Sequence, residues 1–187
     1  VVEAKKASKD AEEGRHQAVL YANCLEQMSE DKQRPIIFNT NGFDTHIWDD
    51  LFYSPRKISG FYTKDELQLL IQRRTTRKYL RTFKINKNIA GKDRPYQIEA
   101  IKRVAENLGQ THEGRYVGTK RESLLVMATG SGKTRTAAAI VDMLTKCNWA
   151  KRVLFLADRN ALVTQAKNAF KEHLENLSSI DLTKEKE

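Results

Sequence analysis

The chain has 187 residues, of which 40% are hydrophobic and 30% charged, enough apolar material for one domain or two small ones. Its 33 Lys and Arg against 24 Asp and Glu give a net charge of +9, which favours polyanionic partners such as nucleic acid. Cys24 and Cys147 form neither a metal-binding spacing nor a disulfide framework, which fits a reducing cytoplasm. We find no secretory signal and no apolar run near about 18 residues, so the sequence does not indicate a membrane protein.

The first part of the chain has the pattern of an α/β sheet fragment. Residues 1–5 are typical of a strand end, and residues 12–28 carry apolar side chains at helical spacing. Residues 35–39 and 45–48 flank an Asn-Gly pair, and this arrangement predicts a hairpin.

A basic stretch follows the hairpin. Thr63 and Glu66 form a capping box, which predicts the start of a helix. Residues 73–87 are dense in Lys and Arg, and we expect them to link two structural units. Four of its basic residues are candidates for DNA contact, although solvated surface is the alternative for most of the linker: Arg73, Arg74, Arg77 and Lys78.

The second part alternates helices and apolar strands. A strand, a glycine-rich turn, a helix, a strand and a helix follow one another, as at the start of a doubly wound α/β domain. Both strands are expected to be buried, because strands of parallel sheets are apolar throughout. The pattern predicts helices at 97–108, 133–144 and 161–174, strands at 123–127 and 152–157, and a polar loop at 109–121.

The turn before the helix at 133–144 has the composition of a phosphate-binding loop. Gly130 and Gly132 allow the backbone to approach a phosphate closely, at the positive end of a helix dipole. Lys133 would reach the β- and γ-phosphates, and the Thr134 hydroxyl would bind Mg²⁺. Met127 stands where the strict pattern has its first glycine. An ordinary glycine-rich turn is the alternative.

Two further elements accompany this loop. Gln97 follows Arg94, and a glutamine amide can donate to and accept from an adenine edge. With the loop and residues 156–166, these residues resemble the adenine-reading motif, motif I and motif Ia of superfamily 2 helicases. The resemblance implies contact of Asp158 and Arg159 with the nucleic-acid backbone. It also implies ATP and Mg²⁺ as cofactors, held by Arg94, Gln97, Thr129, Gly130, Ser131, Gly132, Lys133 and Thr134.

No Asp-Glu pair follows the loop at the end of an apolar strand. Such a pair would hold Mg²⁺ and orient the attacking water. The pair Asp65-Glu66 lies upstream, inside the capping box. We therefore expect the chain to be a fragment that binds ATP without hydrolysing it.

A second constellation lies near the start of the chain. Glu3 and Lys5 would share a face of a strand, where a carboxylate beside a lysine can bind Mg²⁺ and polarise water. Gln17 and Tyr21 are four residues apart and would share a helical face. On spacing alone, the alternatives are a solvated charged face for the first pair and the rim of an amphipathic helix for the second.

Residues 2–6, 17–22 and 35–42, together with the helicase-like motifs, resemble the motor subunit of type I restriction enzymes. That family joins a PD-(D/E)XK nuclease to a superfamily 2 translocase. The resemblance implies catalytic roles for Glu3, Lys5, Gln17 and Tyr21, with Glu3 as a metal ligand. The family's catalytic Asp lies upstream of these residues, so we expect no cleavage by this chain alone.

The fold implied by the resemblance is α/β. The C-terminal half of a nuclease fold would span 1–56, a basic helical linker 57–90, and the start of a RecA-like, P-loop parallel-sheet domain 91–187. The function implied is ATP-dependent translocation and cleavage of double-stranded DNA in the bacterial or archaeal cytoplasm. The specificity and methyltransferase subunits would be its partners. The alternatives are another superfamily 2 translocase without a nuclease and a non-catalytic ATP-binding module that binds nucleic acid.

Overall fold

A computed structural model describes residues 13–112 and 115–184 of the chain. The chain divides into two compact units. Unit 1 contains Val1–Thr75 and His112–Thr119, and unit 2 contains Thr76–Thr111 and Lys120–Glu187. Among the helices that the structure describes, none has the length and apolar character needed to cross a membrane.

Unit 1 combines helices with a three-stranded antiparallel sheet. Helix α1 (Arg15–Met28) precedes strands β1 (Ile37–Thr40), β2 (Thr45–Trp48) and β3 (Arg56–Ile58), which pair in the order β1-β2-β3. The Asn41 side-chain carbonyl accepts hydrogen bonds from the backbone N–H groups of Phe43 (3.1 Å) and Asp44 (2.8 Å), which fixes the turn between β1 and β2. The predicted helix and hairpin are confirmed, whereas β3 was not predicted.

Helix α2 (Lys64–Thr76) begins at the predicted capping box. The Glu66 carboxylate accepts hydrogen bonds from the Thr63 backbone N–H (2.8 Å) and hydroxyl (3.0 Å). The Thr63 hydroxyl oxygen in turn accepts from the Glu66 N–H at 3.3 Å. The prediction of this helix start is therefore confirmed, and the reciprocal bonds satisfy N–H groups that the helix cannot satisfy itself.

Two buried arginines hold unit 1 together. The Arg34 side chain is 5% exposed, and its guanidinium binds both carboxylate oxygens of Asp50 as well as Glu26 and the Asn23 side-chain oxygen. Hydrogen bonding to Asp50 raises the pKa of Arg34 above its ordinary value. The Arg74 guanidinium pairs with Asp49 at 2.8 Å, so solvated surface is the wrong interpretation for Arg74.

Unit 2 contains four α-helices in its described residues. Helices α3 (Lys87–Ala90) and α4 (Pro95–Leu108) come before the glycine-rich turn. Helices α5 (Lys133–Lys146) and α6 (Asn160–His173) follow it. The predictions of α4, α5 and α6 are confirmed to within two residues at each end.

Helices α4 and α5 provide most of the core of unit 2. Ile101, Val104 and Ala105 of α4 are buried together with Ala138, Ala139 and Met143 of α5, and Phe170 of α6 packs against this cluster. The segment 57–90 also contributes to the core, through Leu80, Ile89 and Ala90. Arg77 is buried as well, with its guanidinium 4.7 Å from the Trp149 ring centre, so the alternative of solvated surface is wrong for this residue.

The segment 109–121 is not the loop that the sequence predicts. It contains two short strands, β4 (Gly109–His112) and β5 (Arg115–Gly118). The segment was predicted to be a loop because its composition is polar, although β-branched Thr111 and Val117 favour extended backbone.

The two apolar segments that were predicted to be buried strands are exposed. Leu124 and Val126 are 89% and 88% exposed, and Leu154 and Leu156 are exposed as well. Within the described part of the chain, neither 123–127 nor 152–157 is paired as a strand. The prediction is therefore wrong for this structure, because an apolar run shows a capacity for burial but does not supply the neighbouring strands that burial requires.

The two cysteines differ in access to solvent, and this difference predicts their reactivity. Cys24 is exposed and Cys147 is buried, and burial raises the pKa of the Cys147 thiol. We expect one thiol per native chain to react rapidly with Ellman's reagent and the second only after denaturation. A Cys24→Ala variant should lose the rapid phase, and a rapid reaction remaining in that variant would contradict the burial of Cys147.

Candidate nucleotide-binding loop

The glycine-rich turn leads directly into α5. Gly132 caps this helix with φ of +84°, and Gly130 has φ of +76°, a backbone region that disfavours other residues. The Ser131 hydroxyl donates to the Ala128 carbonyl at 2.6 Å, which closes the turn on itself. The loop is therefore a compact structure that presents the beginning of a helix.

The N-terminus of α5 has the properties of an anion site. No side-chain hydrogen bond caps the helix, and its first turn contains no acidic residue, as judged from residues that the structure describes. The first N–H groups of a helix lack partners within it, and the helix dipole makes this end positive. Backbone donors with positive potential and no carboxylate nearby suit phosphate groups.

Lys133 lies against the loop. Its ammonium group donates hydrogen bonds to the carbonyl oxygens of Met127 (3.3 Å) and Ala128 (3.1 Å), while the side chain remains exposed. The group is thus held near the N-terminus of α5 by weak neutral acceptors. A phosphate is a stronger acceptor for an ammonium group, so the lysine could exchange its carbonyl partners for phosphate oxygens.

Gln97 is the most buried polar residue near the loop. It is 0% exposed, and its side-chain nitrogen donates to the Ser131 carbonyl at 2.7 Å. Among the described residues, the Gln97 side-chain oxygen has no hydrogen-bond partner although it is buried. A buried acceptor without a donor is costly, so this oxygen is suited to a donor on a ligand.

The loop and the start of α4 are in close contact. A Cβ atom added to Gly132 would lie 2.4 Å from the Gln97 side-chain nitrogen and 2.9 Å from a guanidinium nitrogen of Arg94. The Tyr96 hydroxyl also donates to the Ser131 carbonyl, at 3.0 Å. Gln97, which the sequence predicts to bind adenine, therefore contacts Ser131, which belongs to the predicted phosphate-binding loop.

The remaining predicted ATP residues lie on the same loop. Thr129 is exposed at the turn, and Thr134 is half-buried in the first turn of α5. All eight predicted ATP residues thus lie on the loop, on the first turn of α5 or at the start of α4. The structure also shows two neighbours that were not predicted as site residues, Tyr96 and Arg135. The signal that could have identified them is their position in the sequence, directly next to Gln97 and Thr134.

The predicted DNA-contacting residues form an exposed pair before α6. The carboxylate of Asp158 lies 3.7 Å from the Arg159 guanidinium, and both side chains are exposed. Their exposure permits contact with a nucleic acid, and the roles assigned to them remain predictions.

The predicted nuclease residues are only partly described. Gln17 and Tyr21 lie on α1, and the Gln17 side-chain nitrogen donates to the Tyr21 hydroxyl oxygen at 3.0 Å. They therefore share a helical face as expected, and the face is solvent-exposed. Glu3 and Lys5 lie outside the described residues. Among the described residues, no group of three or more His, Cys, Asp or Glu side chains could hold a metal ion.

These elements define a mixed α/β protein with a glycine-rich loop at the start of a helix. The sequence matches the family described as type III restriction enzyme, res subunit, over residues 90–187. Because this match covers more than half of the 187 residues, the chain belongs to that family. No solved structure matches the chain.

Two curated relatives are endonuclease subunits of type I restriction enzymes. The EcoAI endonuclease subunit of Escherichia coli is 34% identical over an alignment of 191 residues in length, gaps included, and the alignment covers 90% of this chain and 20% of the relative. The EcoKI endonuclease subunit of Escherichia coli strain K12 is 43% identical over 79 residues, or 42% of this chain and 6% of the relative. The chain thus spans about a fifth of the length of the first relative. Both belong to the group that the sequence motifs resemble.

Proposed function

We propose that the chain is part of the ATP-dependent DNA-translocating and DNA-cleaving subunit of a type I restriction enzyme. The similarity to the EcoAI endonuclease subunit supports this function, because it extends over 90% of the chain. The structural observation that carries the proposal is the contact between Gln97 and the Ser131 carbonyl, which joins an amide suited to adenine to a loop suited to phosphate.

The residues around the loop fit ATP. Lys133 and the N-terminus of α5 would hold the β- and γ-phosphates, and the Thr134 hydroxyl would bind Mg²⁺. The unpaired side-chain oxygen of Gln97 would accept a hydrogen bond from the adenine amino group. ATP supplies the phosphoanhydride bond whose hydrolysis would drive translocation of double-stranded DNA.

The proposed cleavage site lies in the first part of the chain. Glu3 would bind Mg²⁺, Lys5 would stabilise the attacking water, and Gln17 and Tyr21 would support them from α1. In the assembled enzyme, the specificity and methyltransferase subunits would be the partners, and Asp158 and Arg159 would contact the DNA backbone. Another superfamily 2 translocase, without a nuclease, is the second candidate.

A substitution at Lys5 separates the two candidates. In the intact subunit, assembled with its partners, Lys5→Ala is expected to abolish DNA cleavage and leave ATPase activity unchanged, because the two sites use different residues. Cleavage of a circular plasmid and DNA-stimulated phosphate release provide the two measurements. Lys6→Ala is the matched control, because it removes the same charge one position along. Cleavage that survives in Lys5→Ala would contradict the nuclease role.

A further inference from the structure

Arg135, the residue after Thr134, contacts a second helix from the first turn of α5. Arg135 of α5 donates from its Nε to the Ile89 carbonyl at 3.0 Å and from a terminal nitrogen to the Asn88 carbonyl at 2.7 Å. Both carbonyls belong to α3, a helix of only four residues, so they lack partners within that helix. The planar guanidinium therefore joins the first turn of α5 to the C-terminal end of α3.

The chain turns sharply directly after these carbonyls. Gly91 ends α3 with φ of +81°, and a Cβ atom added there would lie 3.4 Å from both the Gln97 side-chain oxygen and the Arg94 Cδ. The backbone of Gly91 thus packs on the amide of Gln97. On its other side, the same amide donates to the Ser131 carbonyl at 2.7 Å.

The Gln97 amide therefore lies between two segments that Arg135 connects. Gly91 lies on one side and Ser131 on the other, and the guanidinium fixes the end of α3 relative to the start of α5. Because the Ser131 carbonyl can only accept, the atom facing it is the amide nitrogen, and the amide oxygen, which lies beside Gly91, has no hydrogen-bond partner among the described residues. Adenine has an amino donor at C6 where guanine has a carbonyl acceptor, so the orientation of this oxygen decides which base fits.

We infer that Arg135 is a positioning residue that sets the preference of the loop for ATP over GTP by fixing the orientation of Gln97. The inference rests on the proposed ATP site and names the residue that gives it base specificity. Arg135 acts through Asn88, Ile89 and Gly91, and it does not itself contact the base.

The test measures nucleotide preference in the 187-residue chain with Mg²⁺. Fluorescent N-methylanthraniloyl-ATP and -GTP give the two affinities, and inorganic tripolyphosphate as a competitor reports the phosphate end alone. In Arg135→Lys, a single ammonium group cannot span two carbonyls as the guanidinium does. We expect the ratio of ATP affinity to GTP affinity to fall by about tenfold, which is the factor expected when one hydrogen-bond contact with the base is lost. The tripolyphosphate affinity should remain unchanged.

Two further variants sharpen the test. Gly91→Ala is strained and crowds the Gln97 oxygen from the opposite side, so it should reduce the preference in the same way. Arg103→Lys is the matched control, because Arg103 lies on α4 and its guanidinium pairs with the surface residues Glu99 and Glu106. It should keep the preference of the unmodified chain. Circular dichroism confirms that each variant is folded.

The possible outcomes distinguish the inference from the proposed function. An unmodified chain that binds no ATP contradicts the ATP site and this inference with it. An unmodified chain that prefers ATP, together with an Arg135→Lys variant that keeps this preference while its unfolding temperature falls, contradicts the inference alone. Loss of preference in Arg103→Lys would also contradict it. Loss in Arg135→Lys and Gly91→Ala, with retention in the control, supports it.

Discussion

Replacing Lys133 with alanine in the intact subunit is expected to abolish ATP hydrolysis and DNA translocation. The side chain is exposed and its ammonium bonds to two loop carbonyls, so the substitution should remove little folding free energy. Charged hydrogen bonds to a nucleotide phosphate are worth about 1.5–3 kcal/mol each, and a positive charge near the transferred phosphoryl group contributes further in the transition state. Phosphate release and displacement of a triplex-forming oligonucleotide measure the two activities.

The control for this experiment is Lys102→Ala, an exposed lysine of α4. It removes the same charge from the same unit and should leave ATPase activity unchanged. Near-normal ATPase in Lys133→Ala would mean that the loop is an ordinary glycine-rich turn. Loss of activity in both variants would show a general effect of positive charge instead of a phosphate contact.

Replacing Arg34 with methionine is expected to destabilise unit 1 by about 3–5 kcal/mol, the range for removing one partner of a buried ion pair. The Asp50 side chain is 7% exposed and would be left as a buried carboxylate without its cation. Asn23 and Glu26 of α1 would lose their arginine as well. Since the same helix carries Gln17 and Tyr21, the substitution should also loosen the proposed nuclease face.

The unfolding of unit 1 in urea can be measured separately from that of unit 2. Of the two tryptophans, Trp48 lies in unit 1 and Trp149 in unit 2, so a Trp149→Phe background reports the first unit through Trp48 fluorescence. A double variant, Arg34→Met with Asp50→Leu, should regain much of the loss, because it removes the buried Asp50 carboxylate and leaves only the more exposed Glu26 without its arginine. An unfolding midpoint of Arg34→Met equal to that of the background would refute the structural role of the pair.

The local features of the fold could be predicted from the sequence because short segments encode them. The capping box at Thr63 and Glu66, the hairpin turn at Asn41 and the helix after Lys133 each depend on residues within one turn of each other. The loop was predictable for the same reason, since its glycines, lysine and threonine are adjacent in sequence.

Long-range contacts could not be predicted in this way. Arg34 and Arg74 resemble surface residues by composition, and only their meeting with Asp50 and Asp49 buries them. The contact of Arg135 with α3 joins residues 46 and 47 positions apart, which no local pattern encodes. The apolar runs at 123–127 and 152–157 show the opposite failure, because their composition indicates burial but not what would cover them.

The contact between Gly132 and Gln97 has a consequence for how this site can change during evolution. Any side chain at position 132 would meet the Gln97 amide at 2.4 Å, so the glycine is required by its neighbour as well as by its φ angle. A side chain at position 132 would therefore be accommodated only if the residue at position 97 also changed or moved. In the proposed ATP site, base selection by Gln97 and phosphate binding by the loop would therefore be coupled, because a side chain at position 132 would displace the Gln97 amide.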